Sequence, residues 1–345
     1  MRPPNLLFLY TDEQAAGTMG TYGNRHIAMP CLNHLAERST VFDRAYVTQP
    51  VCTPSRSSLL TGLYPHGNGC TSNNLRLASE IPCLPEMLPR GQYASGHFGK
   101  WHLGDELYAQ HGFGEWISIE DGYNKWFAPG LDRARRSTYH DFLATRGVRP
   151  VNKDRFGRAE TARLPEPLGK PAYLAGEAIR FLRDHRHAPF VLYVNFLEPH
   201  MPYFGPRDGQ YDPAKIPLPP NFDCRPDAGS PLKHRLLAEF YRRNGHSGLP
   251  LETVDDWRRM IANYWGLCSL VDTHVGTILD EVERLGLSDS TIIVFTSDHG
   301  DMMGAHRLLA KTVMFEESVR VPLMIRMPGQ NRGRRIHGPV SQVDL

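Results

Sequence analysis

Three stretches of the chain are apolar almost without a break: Leu6 to Tyr10, Phe190 to Phe196 and Thr291 to Thr296. They lack the in-and-out alternation of a half-exposed strand, so they predict strands buried on both faces, as in a sheet covered by helices on either side. Val41 to Val47, Tyr93 to Phe98 and Val321 to Arg326 read as further strands. Apolar residues recur at helical spacing from Tyr173 to His185, where Leu174, Ala175, Ala178 and Leu182 share a face. They do so again from Ile261 to Leu285, where Trp265, Cys268, Val271, Val275, Ile278 and Val282 share one. Cys31 to Arg38 predicts a shorter helix, and Asp272, on the long one, reads as structural. Strands interleaved with helices make an α/β fold. Between Asp105 and Lys170 periodicity is lost among Gly, Pro, Trp and Tyr, which predicts long loops and short elements. Tyr211 to Phe222 reads as a proline-rich surface linker.

Composition narrows the function classes. Lys plus Arg is 39 against 37 for Asp plus Glu, and no polybasic run occurs, so neither nucleic acid nor a membrane surface is an expected partner. Cys31, Cys52, Cys70, Cys83, Cys224 and Cys268 form no C-x-x-C pair and no regular spacing, so a disulfide framework or zinc site is not indicated. Met-Arg-Pro-Pro-Asn leads straight into the first strand without room for a signal peptide, and no apolar run reaches transmembrane length. A cytoplasmic location is the resulting expectation.

The candidate chemistry lies where predicted strands end. Asp12 and Glu13 follow the first strand and Asp298 and His299 follow the Thr291 strand, and carboxyl ends of strands in open α/β sheets are where ligands gather, here a cation. Lys100 and His102 alternate along a segment read as extended, which points both to one side, a pairing suited to an anion. Pro50 to Gly62 reads as a turn feeding a short helix, with Pro54 opening it, Ser55 capping it and Gly62 stopping it. That places Cys52 just ahead of the helix N-terminus, where the dipole and Arg56 favour an anionic sulfur.

Cys52-Thr53-Pro54-Ser55-Arg56, followed by Leu60-Thr61-Gly62, resembles the signature of the type I sulfatases, and similar segments follow in that family's order over nearly the whole chain. The resemblance implies an alkaline phosphatase-like fold with a large mixed, mostly parallel sheet sandwiched between helices. It also implies that residues 1–345 form a catalytic domain truncated before a smaller C-terminal subdomain. Cys52 would be oxidised to formylglycine by a formylglycine-generating enzyme, and its hydrate would be the nucleophile. One divalent cation would sit on Asp12, Glu13, Asp298, His299 and the residue-52 side chain; Ca²⁺ suits the mainly oxygen donors, with Mg²⁺ and Mn²⁺ as alternatives.

Arg56, Lys100 and Lys311 would neutralise the sulfuryl group, while His200, in the family's His-x-Pro segment, would protonate the leaving oxygen together with Lys311. His102 would then take the proton from the second hydroxyl, and Asn73 corresponds to a substrate-contacting amide. The implied reaction is hydrolysis of an aryl or carbohydrate sulfate monoester. The alternatives are a phosphonate monoester or phosphodiester hydrolase of the same superfamily, and an inactive metal-binding fragment.

Overall fold

The computed structural model describes residues 3–122, 128–152 and 154–345, so residues 123–127 and 153 of the expected loop region lie outside the described residues. Nine strands form one sheet: β1 (Asn5–Asp12), β2 (Thr40–Tyr46), β3 (Ala94–Gly99), β4 (Glu115–Ile117), β5 (Phe190–Pro199), β6 (Thr291–Ser297), β7 (Arg320–Val321), β8 (Leu323–Arg326) and β9 (Arg334–Ser341). They run in the order β4-β3-β5-β1-β6-β8-β2-β7, with β9 also pairing with β2. The first five in that order are mutually parallel, with Leu7 opposite both Leu192 and Ile293, whereas β8 is antiparallel to β6 and to β2.

The apolar runs belong to the middle of this parallel set, and their two faces enter two separate cores. Leu7 and Leu9 pack with Phe98, Leu192 and Val194 beneath α3 (Lys170–His185) and α5 (Val254–Arg284), which contribute Leu174, Ala178, Val271 and Val275. Phe8 and Tyr10 face the other way, against Tyr193, Val294 and the Leu59 and Leu60 side chains of α2 (Cys52–Thr61). Period-two side-chain direction explains why both faces had to be apolar. Asp272 on α5 accepts the backbone N–H groups of Cys31 (3.1 Å) and Leu32 (2.7 Å), which caps α1 (Pro30–Glu37) and clips it to the long helix.

Several boundaries differ from the periodicity reading. The long helix starts at Val254 rather than Ile261, because Thr253 and Asp256 make a reciprocal capping box that apolar spacing does not register. The expected Val321–Arg326 strand is split at Pro322, which has no N–H for the ladder. β9 is mostly exposed and polar, and α4 (Leu232–Asn244) buries only Tyr241, so neither carries the apolar signal that betrays the other elements. The proline-rich stretch is not purely superficial: Ile216 and Phe222 are buried in the α5 core.

Candidate active site

Because β1, β3, β5 and β6 are parallel, their carboxyl ends share one edge of the sheet. Asp12 and Glu13, Lys100, His200, and Asp298 and His299 are delivered there by four different strands. Two glycines permit the approach. A Cβ on Gly99 would lie 2.0 Å from the Asn195 carbonyl oxygen, and one on Gly300 would lie 1.9 Å from that of Glu317.

Cys52 is the first residue of α2, not a residue ahead of it: Val51 is extended and caps the helix by its backbone. Ser55, the expected cap, instead reaches the Asp298 carbonyl and Gln342 Oε1 (2.8 Å), which stitches α2 to the β6 edge. Gly62 ends the helix in the left-handed conformation (φ 68°). Lys311 enters from the segment between β6 and β7, where Thr312 N–H donates to Pro50 O at 3.2 Å.

The side chains converge tightly and almost entirely out of solvent. Cys52 Sγ lies 3.2 Å from His299 Nε2 and 3.8 Å from Asp12 Oδ1, and the His102 and His200 rings stand near enough to influence it. Arg56 spans the two carboxylates, Nη2 to Asp12 Oδ2 and Nε to Asp298 Oδ2, each at 2.9 Å, and is itself held by Tyr10 and the Lys100 carbonyl. The Lys100 ammonium donates to Asp12 Oδ2. Lys311 Nζ is 2.9 Å from Glu13 Oε2, and His200 Nε2 is 3.4 Å from the same oxygen.

Lys100 and His102 both face Cys52, yet not for the reason their alternation suggested. β3 stops at Gly99, and His102 has φ 62°, so the segment turns rather than extends. Glu106 holds that turn by accepting the N–H groups of Trp101 (2.7 Å) and His102 (2.9 Å).

Burial dominates the protonation states. It opposes a thiolate at Cys52, but Lys100, Lys311 and His299 outweigh it and pull the thiol well below its usual range. Burial lowers His102 to about 4, and burial with Lys311 lowers His200 to about 3, so both imidazoles are neutral at neutral pH. Burial raises Glu13 to about 8 and, with Asp12 alongside, raises Asp298. His299 is pushed the other way, up to about 9, because Asp298 and the Cys52 sulfur overcome the burial penalty.

The residues fit a divalent cation. Donor atoms of Asp12, Cys52, Asp298 and His299 all lie within 4.8 Å of one another, two of them carboxylates whose repulsion an ion would relieve. His299 Nδ1 is 3.0 Å from the Gly300 carbonyl, which fixes that proton and leaves Nε2 for ligation. Glu13 stands apart from this group: it joins Asp12 and His200 in a second one, with Oε1 buried and unpartnered. Its φ of 70° turns its carboxylate towards Lys311.

Asn73 accepts the Thr53 N–H (3.0 Å) and so serves the start of α2. Asn74 Oδ1, not Asn73, meets His102 Nε2 at 2.9 Å. Asn74, Glu106 and Tyr10 escaped the sequence reading; only the doubled Asn73-Asn74 gave a signal, and spacing does not choose between them.

The class these features define is an α/β protein whose parallel-sheet edge buries a thiol at a helix start, among lysines suited to an anion and carboxylates suited to a cation. The chain belongs to the sulfatase family, whose model, described as Sulfatase, matches residues 4–345. It is 29% identical to an uncharacterized sulfatase, YidJ, of Escherichia coli (strain K12), over 100% of this chain and 67% of that protein. It is 25% identical to an N-acetylglucosamine-6-O-sulfatase of Bacteroides thetaiotaomicron, over 94% of this chain and 63% of that one. The chain thus spans about two thirds of the length of these curated relatives. Its fold is similar to that of a phosphonate monoester hydrolase from Silicibacter pomeroyi, with TM-score 0.80, 23% identity and coverage of 99% of this chain and 71% of the other. Among the described residues, no helix is long and apolar enough to cross a membrane.

Proposed function

We propose that residues 1–345 form the catalytic domain of a sulfuric ester hydrolase that cleaves an aryl or carbohydrate sulfate monoester at residue 52. The observation that carries the reading is the surrounding of Cys52: three imidazoles, two ammonium groups and the carboxylate pair of Arg56 meet at the first residue of one helix. Matured to formylglycine, residue 52 supplies a geminal diol as nucleophile. A divalent cation on Asp12, Asp298 and His299, with Ca²⁺ favoured by the oxygen donors, supplies Lewis-acid charge.

The chain's own groups would do the rest. Arg56 holds Asp12 and Asp298 at a fixed separation while cancelling part of their charge. Lys100 and Lys311 place positive charge where sulfuryl oxygens would sit. His200 Nδ1 donates to the Met201 carbonyl (2.8 Å), so Nε2 faces the site and is the atom that would carry a proton to the leaving oxygen. An entering sulfate anion opposes the effect of Lys311 on that ring and raises its proton affinity. His102, neutral and held through Nε2 by Asn74, keeps Nδ1 as the base towards residue 52. The relatives' names support a sulfate ester, and among them an amino-sugar sulfate.

The test is to express the chain with and without a formylglycine-generating enzyme, read the mass of the residue-52 peptide, and assay an aryl sulfate, a 6-O-sulfated N-acetylglucosamine and an aryl phosphonate. Thiol-to-aldehyde conversion with sulfate release is the expected result. An unconverted thiol, or conversion with turnover of the phosphonate alone, overturns the reading.

A further inference from the structure

Away from the sheet edge a second group of soft and hard donors comes together that the reaction does not use. Cys83, Glu86 and His111 each offer an atom within 4.8 Å of the other two. Cys83 and Glu86 are three apart at the start of the short helix Leu84–Met87, and His111 arrives from a turn on the far side of β3. That turn is built against the helix. His111 and Gly112 both have positive φ (49° and 77°), and a Cβ on Gly112 would stand 2.7 Å from Glu86 Cγ.

Part of the arrangement is ordinary capping, since Glu86 Oε2 accepts the Cys83 N–H at 2.9 Å. Capping does not explain the histidine. The His111 side chain is 4% exposed and its Nδ1 lies 3.4 Å from Glu86 Oε2, yet that nitrogen is buried without a hydrogen-bond partner. A buried, unpartnered imidazole nitrogen beside a carboxylate, with a thiol within reach of the same ring, has the donor chemistry of a metal site.

We propose that Cys83, Glu86 and His111 form a zinc site, separate from the cation site at the sheet edge. Thiolate and imidazole donors select Zn²⁺ over Ca²⁺ or Mg²⁺, and three protein ligands leave a fourth tetrahedral place for water. Zinc–ligand bonds of about 2.0–2.3 Å bring donors within about 4 Å of one another, so binding needs only a small closure of these side chains. The thiol proton leaves to solvent as the zinc–sulfur bond forms. His111 lies against Trp101 (ring centroids 5.7 Å apart), between Lys100 and His102 in the chain, so the ion would brace the wall behind that turn.

The test uses the full chain carrying Cys52→Ala, which removes the active-site thiol, titrated with Co²⁺ and then with Zn²⁺. A thiolate-to-cobalt charge-transfer band displaced by one equivalent of Zn²⁺ is expected, and it should vanish on adding Cys83→Ser or His111→Ala. Should Cys83→Ser fail to fold, His111→Ala decides, together with loss of the Zn²⁺-induced rise in Tm. No band in the Cys52→Ala protein, or a band indifferent to both changes, overturns the proposal.

Discussion

His102 and Arg56 show how much of the candidate chemistry rests on single contacts. With Asn74 on Nε2, His102 keeps Nδ1 for the base role proposed above, and burial, which lowers its pKa to about 4, leaves the ring neutral at neutral pH. His102→Ala in the matured protein is expected to release one equivalent of alcohol and then slow by roughly 10²–10⁴-fold, with sulfate retained at residue 52 in the mass spectrum. Unimpaired steady turnover would refute that role. Asn74→Ala removes one orienting hydrogen bond, about 1 kcal/mol, so kcat should fall about fivefold with the pH profile altered more than KM. Arg56 is wholly buried between two carboxylates, and Arg56→Met strands both charges. Denaturant unfolding should register a loss of roughly 3–5 kcal/mol, partly recovered by added Ca²⁺.

At the scale of elements, the strand ends are positioned by contacts that tolerate little change. Gly99 carries φ 109° and sits against β5 so closely that Gly99→Ala should cost roughly 3 kcal/mol or more in stability, measured by thermal unfolding. The segment between β4 and α3 is tied back by a buried cluster. Glu120 bonds Arg158 Nη2 (2.6 Å) and Lys170 Nζ (3.2 Å), and Arg158 also stands 3.4 Å from His200 Nδ1. Burial raises the Glu120 pKa, but the two cations outweigh it and hold the carboxyl well below its usual value. A depressed carboxylate pKa stabilises the fold fully above the unfolded value of roughly 4.3, and that contribution is lost progressively as pH falls from there towards the depressed folded value. Tm should therefore drop on acidification below that pH. Glu120→Gln should lower Tm at neutral pH and flatten the acid limb.

For the whole molecule, the proposed cation would be linked to the fold. Asp12 ends β1 and Asp298 follows β6, far apart in sequence, so an ion bridging them would bind the folded state only. Ca²⁺ at about 100 times its Kd should add about 2.7 kcal/mol, seen as a rise in Tm that chelation reverses and Asp298→Asn abolishes. By itself the sequence determined the buried parallel strands, because a strand covered on both faces must be apolar at every position, and it determined which polar residues stand at their carboxyl ends. It also carried the Cys52 motif, since a helix start with its neighbouring arginine is a local feature. Only the tertiary structure decided where those side chains point. Left-handed turns at Glu13 and His102 redirect them in ways no periodicity records, and polar β9 forms because β2 offers it a free edge. Cys83, Glu86 and His111 likewise meet through a turn that packs on a helix, and loop conformation is set by what the loop packs against rather than by spacing along the chain.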